Sequence, residues 1–183
     1  MARSQDARIE VPRIIVLTGE RGVGKSTACR ETVALAQSAG YACGGLVTLA
    51  HDDVRDVLDV SSGDVRRLTH DGDAAQAVDQ GRFRFDPQVL AWGNRALIRA
   101  TPCDLLVIDE IGPLELERGE GWMNAFNVLR GRDFALALVV VRPELVVQAQ
   151  PRLPDRATLV MAVTRENRDQ LPGTLMGMLR EET

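Results

Sequence analysis

Residues Gly19-Glu20-Arg21-Gly22-Val23-Gly24-Lys25-Ser26 read G-x-x-x-x-G-K-[ST], a pattern that fixes a strand, a loop and a helix in that order. The flanks agree with it. Ile14-Ile15-Val16-Leu17 is an apolar run of the length of a strand buried on both faces, and Thr27 to Ala39 reads as a helix stopped by Gly40. Gly19, Gly22 and Gly24 let the loop backbone approach an anion closely enough for its N–H groups to bind it, with Glu20, Arg21 and Val23 completing the loop. Lys25 reaches β- and γ-phosphates, Ser26 offers a hydroxyl to Mg²⁺, and the helix beginning near Thr27 points its positive end at the anion. The pattern implies an α/β chain that binds ATP, GTP or another nucleoside triphosphate with Mg²⁺.

A second signal lies ninety residues on. Leu105-Leu106-Val107-Ile108 is another fully apolar strand, and it ends on Asp109-Glu110. A carboxylate delivered there is placed to hold Mg²⁺ through its water shell, which gives Ser26 and Asp109 as the metal residues. Glu110, one residue further, can orient and polarise a water attacking the γ-phosphate, so Glu110 and Lys25 are the candidate catalytic residues. Arg142 follows a third buried strand, Leu136 to Val141, at the same expected sheet edge. It reads equally well as a γ-phosphate sensor and as a surface arginine starting a helix. Arg21 reads as solvent-facing, as do most of Arg55, Arg66, Arg67, Arg82 and Arg84, with one of them available to stabilise charge.

The remaining elements follow from pattern and punctuation. Residues 1–12 read as a flexible tail and 13–183 as a single domain, consistent with 183 residues of which 45% are apolar. Leu46 to Leu49 and Val54 to Val60 read as a hairpin about a His-Asp-Asp turn, with a short strand at Val65 to Thr69 and a loop or short helix at Asp71 to Gly81. Asp86 and Pro87 suit the N-cap and first position of a helix to about Ala100, burying Leu90, Leu97 and Ile98. Further helices are expected over Gly119 to Arg130 and from Pro143 to about Gln150. A fourth apolar strand is expected at Thr158 to Val163, then a C-terminal helix burying Leu171, Leu175 and Met178 that Pro172 begins or kinks.

Composition narrows the function classes. A net charge of −4 and a pI near 5.3 lack the basic excess of a dedicated nucleic-acid binder, so nucleic acid is not an expected partner, a local basic patch aside. The first residues lack the apolar core of a signal peptide and the longest apolar run, Phe134 to Val141, is too short to span a bilayer. A soluble cytoplasmic protein is expected. Cys29, Cys43 and Cys103 are scattered, without a C-x-x-C pair, and read as reduced core residues.

With these motifs placed, the chain resembles the THEP-type, or cancer-related, nucleoside-triphosphatase family of P-loop NTPases. Three blocks carry the resemblance: Leu17-Thr18-Gly19 to Ser26-Thr27; Val107-Ile108-Asp109-Glu110-Ile111-Gly112 with Glu115-Leu116, similar to D-E-I-G-x-x-E-L; and Val163-Thr164-Arg165-Glu166-Asn167-Arg168, similar to V-T-x-E-N-R. The resemblance implies a three-layer, RecA-like P-loop domain with a mostly parallel sheet and an antiparallel hairpin extension, hydrolysing NTP to NDP and phosphate with Mg²⁺ and broad base tolerance. It gives Lys25 and Ser26 phosphate and metal, Asp109 the metal and Glu110 the water. Thr164, Asn167 and Arg168 either lie near the base or brace the loop beside it. In place of the family's G-F-x-T-x-E-V-R stretch the chain has Gly45-Leu46-Val47-Thr48-Leu49-Ala50-His51, so one family arginine is missing and Arg55 is the better match for the next. Where Arg142 stands the family tends to carry a small polar residue.

Two other classes stay open at this level. A small-molecule or nucleotide kinase shares the loop, although Asp71 to Gly81 has no arginine-rich lid; a nucleotide-dependent switch or assembly factor would hydrolyse slowly and act through a protein partner.

Overall fold

The computed structural model describes residues 13–70, 77–154 and 158–183; the tail expected over 1–12 lies outside them. Its centre is a seven-stranded sheet in the order β4-β3-β2-β7-β8-β1-β9. The strands are β1 (Arg13–Thr18), β2 (Cys43–His51), β3 (Val54–Asp59), β4 (Val65–Arg67), β7 (Cys103–Ile111), β8 (Phe134–Val141) and β9 (Thr158–Ala162). From β2 to β9 all neighbours run parallel, while β3 and β4 are antiparallel additions, as the hairpin pattern of Leu46 to Val60 predicts. A separate antiparallel pair, β5 (Val78–Gln80) and β6 (Phe83–Phe85), lies outside this sheet.

Both faces of the parallel strands are covered. Successive side chains of a strand point to opposite faces, and alternate residues accordingly enter two cores. Ile14, Val16, Leu106, Ile108, Ala137 and Val139 pack towards α2 (Pro87–Arg99) and α3 (Asn124–Gly131), meeting Trp92, Leu97, Phe126 and Leu129. Ile15, Leu17, Leu105, Val107, Leu138 and Val140 pack towards α1 (Lys25–Ser38) and α5 (Leu171–Glu182), meeting Cys29, Val33, Leu175 and Leu179. Each such aliphatic side chain contributes about 1.5–3 kcal/mol when fully buried, which is why the uninterrupted apolar runs of β1, β7 and β8 sit in the middle of the sheet.

Several expectations need correction. The segment expected as loop or short helix at Asp71 to Gly81 contains β5 instead, with residues 71–76 outside the description; β6 joins it because Phe83 and Phe85 alternate with Arg84. Helix α1 begins at Lys25, two residues earlier than the pattern suggests. Ile98 is 59% exposed, because the buried stripe of α2 runs through Val89, Leu90, Trp92, Gly93, Ala96 and Leu97 and turns Ile98 outwards. The helix expected from Gly119 starts at Asn124, preceded by one wide helical turn at Leu114–Arg118. The Pro143 helix is split into short pieces around α4 (Val146–Ala149). Strand β9 stands at the sheet edge, so Leu159 and Val160 are half exposed despite their apolar character. Cys29 is buried, whereas Cys43 and Cys103 are only partly so, and burial pushes these two thiols up to about 11 and about 12. All three are free cysteines.

Parallel topology sets where chemistry can occur. The C-terminal ends of β1, β7 and β8 open on one edge, and β8 lies between the other two, so the loop after β1 and the carboxylates near the end of β7 flank whatever follows β8. The entry to this edge from β2 depends on Gly45. Its φ is +106° and a Cβ there would strike the backbone carbonyl of Val107 on the adjacent strand. Gly45→Ala is expected to cost about 3 kcal/mol or more, from backbone strain and overpacking together; urea unfolding measures it, and a loss below about 1 kcal/mol would contradict the close approach of β2 and β7.

Candidate active site

The segment between β1 and α1 is built around three glycines with positive φ: +143° at Gly19, +75° at Gly22 and +115° at Gly24. L side chains rarely adopt such angles. They let the chain fold back so that Lys25 Nζ donates to the carbonyls of Gly19 (2.6 Å) and Glu20 (2.8 Å). Val23 points inward and is buried in the α1 core, while Glu20 and Arg21 are exposed. On the far side the loop is braced from the C-terminal block. The Arg168 side chain packs against Gly24 and donates to the Val23 carbonyl (3.4 Å). Thr164 and Asn167 close a local turn, the Thr164 N–H donating to Asn167 Oδ1 (2.9 Å) and the Asn167 amide to the Ala162 carbonyl (2.8 Å).

Strand β7 runs past its expected end to Ile111, with an irregularity in its pairing to β8 between Asp109 and Ile111. Asp109 is only 1% exposed. Its Oδ2 accepts the Thr48 N–H (3.1 Å) and its carbonyl accepts the Thr48 hydroxyl (2.5 Å), so β2 fixes the direction of the carboxylate. Burial pushes its pKa up to about 7, against an opposing hydrogen bond from Ser26, and the Glu110 charge adds to the rise. Asp109 Oδ1 is buried and has no hydrogen-bond partner among the described residues. A buried, unmatched carboxylate oxygen beside a serine hydroxyl is an all-oxygen donor set. It suits a hard divalent cation that keeps most of its ligands as water and phosphate.

Glu110 is half-buried and paired with Arg142, whose Nε donates to Glu110 Oε1 at 2.6 Å. Burial lowers the Lys25 pKa, the charges of Glu110 and Asp109 oppose that, and Arg142 adds to the lowering. Lys25, Asp109, Glu110 and Arg142 therefore act on one another electrostatically. All four line one cavity of about 450 Å³, together with Gly19, Arg21, Gly22, Gly24, Ser26 and Thr27 of the loop. Of the predicted loop residues, Glu20 and Val23 lie outside its lining, as do Thr164, Asn167 and Arg168. Arg55 lines it as well, held over the Phe83 ring at 4.4 Å rather than solvated. Arg66 stacks on Trp92 and Arg67 pairs with Asp56, both away from the cavity.

Three contributors have roles that their motifs do not reveal. Thr48 lies in the stretch after β2's glycines, but nothing in its spacing tells that it faces Asp109. Glu115 is 3% exposed, its Oε2 accepting the Gly112 N–H (2.8 Å) and its Oε1 the Trp122 N–H (2.7 Å), so it ties the turn after Glu110 to the cavity wall. The third is that wall itself, formed by Leu68, Phe83, Phe85, Leu90, Leu114 and Trp122.

Burial raises the Glu115 pKa to about 7, more than its backbone donors lower it, with the Glu110 charge contributing. The folded chain therefore holds this proton more tightly than the unfolded chain does. Between about pH 4.5 and 7 the folded state binds more protons, and this contribution to stability falls as pH rises through that window. Glu115→Gln cannot ionise and is expected to remove this part of the pH slope in denaturation curves; an unchanged slope would show that Glu115 titrates alike in the folded and unfolded chain.

The chain is similar to known proteins over nearly its whole length. A family model described as NTPase matches residues 14–176. The nucleoside-triphosphatase THEP1 of Methanosarcina barkeri is 30% identical over 177 residues, covering 91% of this chain and 97% of that protein. THEP1 of Methanopyrus kandleri is 28% identical over 182 residues, covering 91% and 94%. Among solved structures, a human cancer-related nucleoside triphosphatase superposes with a TM-score of 0.71 at 23% identity, covering 93% of this chain and 99% of that one. THEP1 of Aquifex aeolicus gives 0.68 at 20% identity, covering 91% and 98%.

Proposed function

This chain belongs to the NTPase family of THEP1-type P-loop nucleoside-triphosphatases, and from that membership we propose a specific division of labour for its hydrolysis of nucleoside triphosphates to diphosphate and phosphate. The observation that supports it is the meeting of Lys25, Ser26, Asp109 and Glu110 around one cavity at the C-terminal edge of the sheet. The unit is a single domain over residues 13–183. The backbone N–H groups of residues 19–27 and the N-terminus of α1 cradle the β- and γ-phosphates, and Lys25 exchanges its loop carbonyls for phosphate oxygens. Ser26 and Asp109 would hold Mg²⁺, which when bound neutralises phosphate charge. Glu110 accepts the proton of the attacking water. Arg142 holds Glu110 through Nε and has further N–H donors on the same planar guanidinium to address the γ-phosphate, a geometry in which base and phosphoryl group are aligned by one rigid side chain.

Broad base tolerance is inferred from the same family membership. Among the described residues no helix is long and apolar enough to cross a membrane, and the cytoplasm is the compartment that supplies NTP and Mg²⁺ together. A kinase or a switch finds no comparable support in the relatives, all of which carry the name nucleoside-triphosphatase.

Phosphate release from ATP, GTP, CTP and UTP, with and without Mg²⁺, tests the reading. Glu110→Gln should keep nucleotide affinity and lose about 10²-fold or more in turnover; full turnover in that variant moves the base elsewhere. Lys25→Ala should abolish triphosphate binding, and unchanged affinity would remove the phosphate-loop assignment. Arg142→Ala should lose about tenfold in turnover and lose preference for triphosphate over diphosphate, with diphosphate affinity unchanged; equal loss for both nucleotides would reduce Arg142 to a general cation.

A further inference from the structure

The triphosphate machinery accounts for one side of the cavity. On the other, Leu68, Phe83, Phe85, Leu90, Leu114 and Trp122 form an apolar wall continuous with it. A water nucleophile needs no such wall. Cavities of about 300–1,000 Å³ with apolar linings and a few convergent polar groups are the form of small-molecule sites, and the whole cavity, phosphate side and wall together, has about 450 Å³. The wall is firmly built: Trp122 is 4% exposed, with its ring seated on Gly93 of α2 and its backbone N–H donating to Glu115, while Phe83 and Phe85 stack with centroids 6.4 Å apart.

Its placement sets what it can do. In the sheet order β2, β3 and β4 lie beyond β7 from β1, and the wall comes from segments on that side: the end of β4, β6, the start of α2 and the turns after β7. The opposite flank of the phosphate loop is taken by Arg168 and Val163. A triphosphate seated on the loop therefore has the apolar wall beyond Asp109 and Glu110, on the side from which the nucleophile comes. Arg55, held over Phe83, stands at the junction; the charges of Arg21 and Glu110 both act on it, so it faces the loop across the cavity.

We propose that this apolar chamber is a second ligand site, taking a small, uncharged aromatic alcohol beside the nucleoside triphosphate and presenting its hydroxyl to the γ-phosphate where hydrolysis uses water. The proposal rests on the reading of Glu110 and the phosphate loop given above. In the step it implies, the alcohol oxygen bonds to Pγ and the Pγ–O bridge to Pβ breaks. The electron pair leaves with the diphosphate and the hydroxyl proton passes to Glu110, giving a phosphate ester and NDP. Stacking on aromatic walls gives affinity without reading a ligand's edges, so the site selects for a flat body with a hydroxyl at one end. The wall residues themselves carry no charge to recruit an ion.

The test uses 2-naphthalenemethanol as the probe, in equilibrium dialysis against the full chain with Mg²⁺ and a saturating non-hydrolysable ATP analogue, the analogue's own binding being measured in the same samples. One equivalent of probe per chain is expected in the presence of the analogue, weakened at least tenfold in Phe83→Ala, where a half-exposed wall residue is removed without opening the core. With γ-labelled ATP in place of the analogue, labelled naphthylmethyl phosphate should form as free phosphate release falls. Displacement of the probe by the analogue would make the chamber the nucleotide's own base pocket and overturn the proposal. So would absence of binding, binding indifferent to Phe83→Ala, or bound probe that yields only free phosphate. Failure of the analogue itself to bind would instead strike the phosphate-loop reading.

Discussion

The structure is organised around one expensive group, the Asp109 carboxylate. It is almost fully buried, one of its oxygens has no hydrogen-bond partner among the described residues, and burial drives its pKa up to about 7. A group in that condition either takes up a proton or is balanced by a positive charge. Lys25 and the Ser26 hydroxyl face it from α1, Thr48 holds it from β2, and β7 delivers it to the edge where the parallel strands end. The two apolar cores on either side of the sheet make the position rigid, and the glycines of the phosphate loop and of β2 let backbone come close enough to surround it.

From this constraint the rest of the site follows by adjacency. Because β8 lies between β1 and β7, the residue after β8 lands between loop and carboxylates, and in this chain that residue is Arg142. Its ion pair with Glu110 separates the roles of two neighbouring acids: Asp109, buried and fixed by Thr48, suits a metal, whereas Glu110, half-buried and held by a guanidinium, suits a water. Glu115 extends the same edge outwards by fastening the turn after Glu110 to Trp122, so that the catalytic edge and the apolar wall form one continuous surface.

How much of this was legible in the sequence depended on whether the signal was local. The phosphate loop, the Asp109-Glu110 pair and the three uninterrupted apolar strands are contiguous stretches whose spacing dictates their geometry, and the structure places them as expected. Ile98 was misread because a helix stripe shifted by one position turns a residue from core to solvent. Thr158 to Val163 is legible as an apolar strand, but apolar content does not report that it stands at the sheet edge. The β5–β6 pair and the apolar wall depend on contacts between segments far apart in sequence, where no spacing rule operates. Thr48 and Glu115 belong to the same class: each matters through a backbone or carboxylate that only folding brings near. Arg55 and Arg142 were legible as candidates, and their partners, Phe83 and Glu110, were not.

The most direct test of the account is a Mn²⁺ titration, followed by electron paramagnetic resonance with ADP present, of the wild-type chain and Asp109→Asn. If the buried carboxylate exists to hold a divalent cation beside the phosphates, the variant loses about 10²-fold or more in metal affinity while metal-free nucleotide still binds and the folded chain is no less stable than wild type. Equal Mn²⁺ affinity in the two proteins would contradict the claim and leave the burial of Asp109 without a function.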